Sequence, residues 1–248
     1  MSVHRRTWVT SASALLAVIA VGLLVAGAFM ARNGGTLLPF RWVDVSGPFD
    51  HVSAEQIRAA VGAPAAMGFF MVDLAQVRAA TLALPWVAEA EVRKVWPDTL
   101  EVQVRERQVL GRLGNDRLVD VAGNVFPARG AGDTRGLPLF DAEPAQMPQL
   151  ADYYRQAQRD VEGLGRRVTV MRMNPRGALE LELDDGLTVR LGSRAQLPRW
   201  GRFIASLPRL AALDPRPIAQ VDLRYTHGYA VRYAEPQSSI PSDPSNDS

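Results

Sequence analysis

The amino-acid sequence predicts an α+β protein carried by a single apolar helix. Three features lead to this prediction: an uncharged run from Thr7 to Ala31, a strand–helix–helix–strand–strand pattern over residues 40–107, and a β-rich remainder over residues 108–233. A helix of about 20 apolar residues spans a hydrocarbon layer roughly 30 Å thick. We therefore predict a transmembrane helix over residues 11–31 that anchors two folded domains in the lipid bilayer.

The charges around the apolar run predict its orientation. Arg5 and Arg6 lie in a short N-terminal head, residues 1–10, and such basic heads stay in the cytoplasm. The bulk of the chain would then be periplasmic, after a juxtamembrane linker over residues 32–39. A cleaved signal peptide is the alternative, because residues 26–28 (Ala-Gly-Ala) resemble a cleavage site. The run is longer than the usual signal core of about 7 to 15 residues, so the retained anchor is preferred.

Composition excludes several classes of function. The chain has 28 basic and 26 acidic residues, and setting Arg5 and Arg6 aside leaves the part beyond the membrane formally neutral. Nucleic-acid binding needs a concentrated basic surface, so no nucleic-acid partner is expected. Cysteine is absent, which excludes disulfides, thiol nucleophiles and cysteine metal sites.

The first domain begins with a strand and a capped helix. The alternation of Val43 and Val45 predicts a strand that ends at Gly47. Ser53, with Gln56 three residues later, has the pattern of a capping box and opens the first helix.

The rest of that domain is predicted from its breakers and its change of period. The first helix should stop at residues 62–64 (Gly-Ala-Pro), and a second should run from an Asp73 N-cap to just before Pro85. Its buried side would carry Val77, Leu82 and Leu84. Over residues 89–106 the apolar residues alternate, which predicts two strands joined at Pro97-Asp98.

The remainder is predicted to be mainly strand. Residues 118–126 should turn at residues 122–124 (Ala-Gly-Asn), and residues 179–191 form the clearest hairpin. A three-residue loop, Asp184-Asp185-Gly186, keeps both apolar rows on one face, with Gly186 left-handed. The predicted pairs are Leu183 with Leu187, Leu181 with Val189, Leu179 with Leu191, and Glu180 with Arg190.

A helix and two closing strands should complete the second domain. The buried side of the helix would carry Leu197, Trp200, Ile204, Leu207 and Leu210 or Ala211, and Pro208 should kink or end it. The closing strands, 219–225 and 229–233, flank a turn at residues 226–228. The Pro- and Ser-rich tail, residues 234–248, is predicted to be disordered.

Residues that could carry chemistry are scattered. His4, His51 and His227 have no metal-binding spacing, and surface or turn positions are the simpler interpretation. Asp184 and Asp185 could be paired acids, but aspartate is favoured in tight loops for backbone reasons. Three tryptophans are interpreted as core or interface residues: Trp86, Trp96 and Trp200. We therefore expect no enzymatic activity, catalytic residue, cofactor, metal or small-molecule substrate.

Several sequence strings resemble one known family. Residues 45–47 (Val-Ser-Gly), 84–87 (Leu-Pro-Trp-Val) and 92–100 (Val-Arg-Lys-Val-Trp-Pro-Asp-Thr-Leu) resemble the POTRA domain of the bacterial FtsQ/DivIB cell-division family. Residues 120–126 match the D-x-x-G-x-x-F pattern that opens the family's β domain. Residues 221–225 (Val-Asp-Leu-Arg-Tyr) resemble its closing strands. The resemblance covers nearly the whole chain.

The resemblance implies a non-catalytic scaffold of the divisome in the inner membrane at the division septum. Such proteins bind the membrane proteins FtsB and FtsL and link early with late division proteins. Their partner site is the last strand region, which carries over to Arg224, Tyr225, His227, Gly228, Tyr229 and Tyr233. The alternative is that these tyrosines are simply packed strand aromatics.

Two other classes of protein are alternatives to this interpretation. A POTRA-containing accessory factor of envelope protein translocation or assembly would share the α+β unit, but normally carries repeated units or a membrane barrel. A membrane-tethered hydrolase would need a nucleophile or paired acids, and the sequence has no such motif.

The apolar run gives a topological prediction. If the helix is retained, the intact mass of membrane-extracted protein will include the N-terminal residues. A mature chain beginning near Phe29 would instead identify a cleaved signal peptide.

Overall fold

The computed structural model describes residues 16–28, 38–225 and 228–234. Residues 16–28 are helical, with exposed side chains. Within the described ranges, no helix combines the length and apolar content needed to cross a membrane. The predicted transmembrane helix lies partly outside these ranges, and the predicted cytoplasmic head lies wholly outside them. Except for Ala234, so does the predicted tail.

The rest of the chain divides after Arg107 into two compact units. The elements of the first unit are strand β1 (Trp42–Ser46), helices α1 (Ala54–Ala65), α2 (Gly68–Met71) and α3 (Leu74–Leu82), and strands β2 (Val87–Val95) and β3 (Thr99–Glu106). The sheet order is β1-β3-β2, with β1 parallel and β2 antiparallel to β3. The predicted order is confirmed, with the short helix α2 added.

Both long helices of this unit begin at the predicted caps. Ser53 Oγ accepts from the Gln56 amide at 3.1 Å, and the Gln56 side chain accepts from the Ser53 amide at 2.9 Å. Asp73 accepts from the Ala75 amide at 2.8 Å. The predicted stop at residues 62–64 is wrong, because α1 continues through Pro64 to Ala65. The Ala66 amide donates to the Gly62 carbonyl, which closes this last turn despite the proline.

The core of the first unit lies between its helices and its sheet. Ile57, Val61, Val77, Leu100 and Val102 are fully buried. Helix α3 ends at Leu82 and not just before Pro85, so Leu84 lies beyond it, and both leucines are only half-buried. The buried residue in the last turn of α3 is Thr81, whose hydroxyl donates to the Val77 carbonyl and so loses no hydrogen bond on burial.

A buried carboxylate ties the loop before α1 to the end of β3. Glu106 accepts from the backbone amides of His51 and Val52 and contacts the His51 ring at 3.0 Å. The His51 ring stacks on Trp86 at 3.8 Å. Burial opposes ionisation of Glu106, but these hydrogen bonds outweigh it and hold the pKa of its carboxyl below the usual range.

The second unit is built on one sheet. Its strands are β4 (Val109–Leu113), β5 (Arg117–Asp120), β6 (Val125–Pro127), β7 (Leu139–Asp141), β8 (Val168–Met173), β9 (Leu179–Leu183), β10 (Thr188–Gly192), β11 (Ile218–Asp222) and β12 (Ala230–Tyr233). Two helices, α4 (Met147–Glu162) and α5 (Gln196–Leu213), interrupt them. In the described part of the chain the strand order is β12-β11-β10-β9-β8-β7-β4-β5-β6.

Residues 108–233 were predicted to be mainly strand, and that prediction did not include helix α4. Its buried face carries Met147, Leu150, Ala157 and Val161, at helical spacing. Helix α5 contributes Trp200 and Phe203 to the same core. The Trp200 indole donates to Asp160 of α4 at 2.8 Å and links the two helices.

Helix α5 also bears on two expectations. Of the two outcomes predicted at Pro208, a kink or an end of the helix, the end is wrong, because α5 runs on to Leu213. Leu197, assigned to its buried side, is 44% exposed, whereas Phe203, which was not assigned to it, is fully buried.

The turn between β5 and β6 explains the D-x-x-G pattern. Asp120 accepts from the amides of Ala122 and Asn124 at 2.9 and 2.8 Å. Gly123 has a φ of +83°, and a Cβ there would lie 2.4 Å from the Cα of Pro148. The position therefore requires glycine both for its backbone conformation and for the close approach of α4.

The β9–β10 hairpin has the predicted three-residue loop. The Gly186 amide donates to the Leu183 carbonyl, and the Leu183 amide donates to the Leu187 carbonyl. Leu181 pairs with Val189, and Glu180 lies opposite Arg190 with an ion pair of 2.8 Å.

The last predicted pair of this hairpin is wrong. A bulge after Arg190 places Leu179 opposite Gly192 instead of Leu191. The closing strands also differ from their predicted bounds, because β11 ends at Asp222 and β12 begins at Ala230.

The loop gives a stability prediction. Gly186 has a φ of +84°, and a Cβ there would meet no atom within 4 Å, so a substitution tests backbone strain alone. Gly186→Val should destabilise the unit by roughly 1 kcal/mol or more, because β-branched residues fit this region poorly. Gly186→Asn is the control, since asparagine tolerates the left-handed region. A thermal midpoint equal to that of the parent in the valine variant would contradict the left-handed turn.

Candidate partner-binding edge of the second unit

Strand β12 lies at one end of the large sheet. It pairs antiparallel with β11, which pairs in parallel with β10. Within the described residues, no strand lies against the other side of β12. A strand in this position offers unpaired N–H and C=O groups along its outer side.

The hydrogen bonds of the neighbouring residues show which amides of β12 point outward. The Leu223 amide donates to the Arg190 carbonyl of β10. Because amides alternate in direction along a strand, those of Asp222 and Gln220 point the other way, toward β12. These two residues pair there with Ala230 and Arg232. The amides of Ala230 and Arg232 therefore point inward, in agreement with the inward bond from Ala234 to Pro217. Since amides alternate along a strand, those of Val231 and Tyr233 point outward.

The side chains of β12 alternate between two environments. Tyr229, just before the strand, packs edge-on against Phe203, and its hydroxyl donates to Ser206 at 2.5 Å. Tyr233 is half-buried, with the Arg216 guanidinium 5.2 Å from the centre of its ring. Ala230 and Arg232 are exposed on the opposite face. Both tyrosines are half-buried, but Tyr229 packs against the core, whereas Tyr233 contacts the Arg216 guanidinium.

The other proposed site residues lie where β11 leads into β12. Arg224 is exposed and forms an ion pair with Asp222 at 2.6 Å. The side-chain hydrogen bonds from Arg224 hold the pKa of the Asp222 carboxyl below its usual range, although burial opposes this. Tyr225 is 58% exposed, Gly228 is exposed, and His227 lies outside the described residues.

The proposed residues therefore form a strip along the sheet edge and not a compact cluster. Tyr233 pairs with Ile218, at the far end of β11 from Arg224. Arg224, Tyr225 and Gly228 lie at one end of the strip and Tyr233 at the other. Such a strip suits an extended partner segment better than a small ligand.

Sequence reasoning missed the residue that holds this edge in place. Arg199 of α5 donates to the Leu191 carbonyl at 2.8 Å and to the Arg224 carbonyl at 3.1 Å. It thereby fixes the end of β10 and the segment that follows β11. No sequence motif marks Arg199, because its two partners, 8 and 25 residues away in the chain, are brought together only by the fold.

The described residues show no arrangement for metal chemistry. Among them, no group of three or more His, Cys, Asp or Glu side chains is placed to hold a metal ion. What the edge offers is backbone donors and acceptors beside half-buried aromatic side chains, and strand addition is the binding mode that uses these groups.

Comparison with known proteins identifies the family. The model of the FtsQ-type POTRA domain matches residues 38–107, and that of the FtsQ/DivIB C-terminal domain matches residues 109–224. The cell division protein FtsQ of Allochromatium vinosum is 35% identical over 91% of this chain and 90% of its own length. The chain belongs to the FtsQ cell-division family. The FtsQ proteins of Xanthomonas campestris pv. campestris (36% identical, 88% of this chain and 78% of the relative) and Burkholderia pseudomallei (32% identical, 90% and 91%) are also similar.

Membership of the FtsQ family confirms the resemblance found in the sequence. It also confirms a POTRA domain followed by a β-rich domain and assigns the chain to cell division. These relatives are named as cell division proteins and not as enzymes. The C-terminal family match ends at Arg224, before β12.

Proposed function

We propose that this chain is a bitopic scaffold of the divisome and that its β12 edge receives a strand from FtsB. The complex of the two proteins with FtsL would link early and late division proteins at the septum. The observation that carries this proposal is the outward direction of the Val231 and Tyr233 amides on an edge strand. Membership of a cell-division family supports the cellular role.

The membrane anchor is part of the same proposal. The uncharged run from Thr7 to Ala31 would hold the chain in the inner membrane, with Arg5 and Arg6 on the cytoplasmic side and both folded units in the periplasm. FtsB and FtsL are single-span membrane proteins in the family resemblance, so the anchor would also bring the partners into the same bilayer.

Strand addition accounts for the chemistry of the edge. Main-chain hydrogen bonds to the outward amides and carbonyls would supply affinity without depending on partner sequence. Tyr225 and Tyr233, one at each end of the strip, would supply specificity as aromatic anchors, which commonly dominate interface energies. Tyr229 holds the edge strand against α5, because its ring packs on Phe203 and its hydroxyl donates to Ser206 of that helix.

Depletion of the protein tests the cellular role. Cells that grow into filaments without septa would support a division function. Cells that divide normally but lose envelope proteins would support the alternative, an accessory factor of envelope translocation or assembly.

The backbone contribution can be tested with a matched pair at one position. Val231→Pro removes an outward amide, whereas Val231→Ala trims the side chain and keeps the amide. We expect the proline variant to lose FtsB binding and the alanine variant to retain most of it. The measurement is titration of the full-length chain in nanodiscs with FtsB, with circular dichroism to confirm folding. Equal binding by the two folded variants would argue against strand addition.

The side-chain anchors give a second test. Tyr233→Ala should weaken FtsB binding by on the order of 1 to 2 kcal/mol, because aromatic anchors commonly dominate the free energy of binding at an interface. Arg232→Ala, on the opposite face of the same strand, is the control and should have a smaller effect. If folded variants at Tyr225, Gly228 and Tyr233 all bind like the parent, the edge is not the partner site.

A further inference from the structure

One end of the POTRA domain exposes a group of large apolar side chains. They are between 38% and 74% exposed, and we call them the apolar end: Trp42, Met67, Phe70, Met71, Val95 and Trp96. Exposed apolar residues scattered singly need no explanation, but a group confined to one end of a domain indicates an interaction surface.

Strand register shows that the sheet residues of this group are neighbours. Trp42 of β1 and Val95 of β2 both pair with Thr99 of β3, so their side chains share one face in one row. Trp96 follows in the β2–β3 turn. The Asp98 carbonyl in that turn accepts from the Trp42 amide, which joins the turn to the start of β1.

Helix α2 lies against the same end of the domain. The Phe69 amide donates to the Leu38 carbonyl at 2.8 Å, and the Phe69 ring lies 5.7 Å from that of Phe40. The ammonium of Lys94, next to Val95 in β2, is 5.7 Å from the centre of the Phe69 ring. Met67, Phe70 and Met71 flank Phe69 in or beside this short helix and are exposed.

Polarity changes along the sheet face that carries Trp42. The next row beyond Trp42, Thr99 and Val95 consists of Asp44, Glu101 and Arg93, with a 2.7 Å ion pair between Glu101 and Arg93. The row after that consists of Ser46, Gln103 and Glu91. The face is therefore apolar only in the row at the N-terminal end of the domain.

Chain length places this end near the bilayer. The uncharged run ends at Ala31 and the described domain begins at Leu38, seven residue steps later. An extended chain advances about 3.3–3.6 Å per residue, so the two points are at most about 25 Å apart. The polar headgroup layer occupies part of that distance, since it adds about 5–8 Å to each side of the hydrocarbon core.

Two basic side chains lie beside the apolar end. Lys94, the only lysine in the sequence, and Arg41 lie beside the group, and the Arg41 side chain is 77% exposed. Asp98 lies 4.0 Å from Arg41 and offsets part of its charge. Asp73, two residues after α2, accepts from the Ala75 amide as the cap of α3. Tryptophan with flanking cations is typical of the membrane–water interface.

We propose that the apolar end of the POTRA domain docks on the periplasmic surface of the inner membrane. Trp42, Trp96, Phe70 and Met71 enter the headgroup layer, and Lys94 and Arg41 contact anionic headgroups. This inference rests on the proposed membrane anchor. Docking would hold the domain at a defined height and rotation above the bilayer.

The absence of cysteine makes the proposal directly testable. Met71→Cys and Trp42→Cys each introduce one labelling site on the apolar end, and Gln103→Cys is a matched control, exposed on the same sheet face two rows away. Each full-length variant is labelled with an environment-sensitive fluorophore and reconstituted in vesicles of phosphatidylethanolamine and phosphatidylglycerol. Quenching by lipids that carry a quencher near the headgroup is then measured, with circular dichroism as the folding control.

The expected result is several-fold stronger quenching at positions 71 and 42 than at 103, with weaker quenching when phosphatidylcholine replaces the anionic lipid. Equal quenching at all three positions in vesicle-bound protein would overturn the docking inference and leave the anchor standing. Failure of the chain to float with vesicles after carbonate washing would overturn the anchor and the docking together. Labels that shift only when FtsB and FtsL are added would assign the surface to a protein partner and also overturn the inference.

Discussion

The parallel pairing of β10 with β11 is the constraint on which the candidate site depends. Two parallel strands cannot be joined by a tight turn, so the chain must cross over the sheet between them. Helix α5 makes this crossover and buries Trp200 and Phe203 on the sheet as it does so. The crossover delivers β11 to the sheet margin, and the following antiparallel strand, β12, becomes the edge.

Arg199 shows how closely the crossover and the edge are connected. Its guanidinium binds the carbonyls of Leu191, before the helix, and of Arg224, after β11. One side chain thereby ties the two ends of the crossover together. Tyr229 adds a second tie, between the start of the last strand and Ser206 in α5. The edge is therefore held from one face while its outer hydrogen-bonding groups remain available.

An available edge is also a liability, because any extended segment can pair with it. Strand β12 is short, and Arg232 projects from its exposed face. Short edge strands and charged side chains are devices that limit unwanted pairing. A partner that gains aromatic contacts at both ends of the strip would be favoured over a random strand, which reconciles an open edge with selective binding.

The sequence by itself determined the elements whose signals are local. The capping box of Ser53 and Gln56, the left-handed turn at Gly186 and the Asp120 turn each depend on residues a few positions apart, and each is found where it was expected. The 3.6-residue period of α4 is an equally local signal, although the sequence analysis did not use it. Pro64 and Pro208 do not end their helices, because neighbouring hydrogen bonds and packing outweigh the loss of one amide donor.

Only the tertiary structure decided the strand order, the bulge beside Leu191 and the direction of the β12 amides. These depend on pairing between segments far apart in the chain, for which a single sequence carries no local signal. The resemblance to the FtsQ family identified which residues are candidates for partner binding. The structure then separated Tyr229, which packs against the core, from the exposed Tyr225 and from Tyr233, which contacts Arg216. Such contacts are decided by the folded neighbours and not by the residue type.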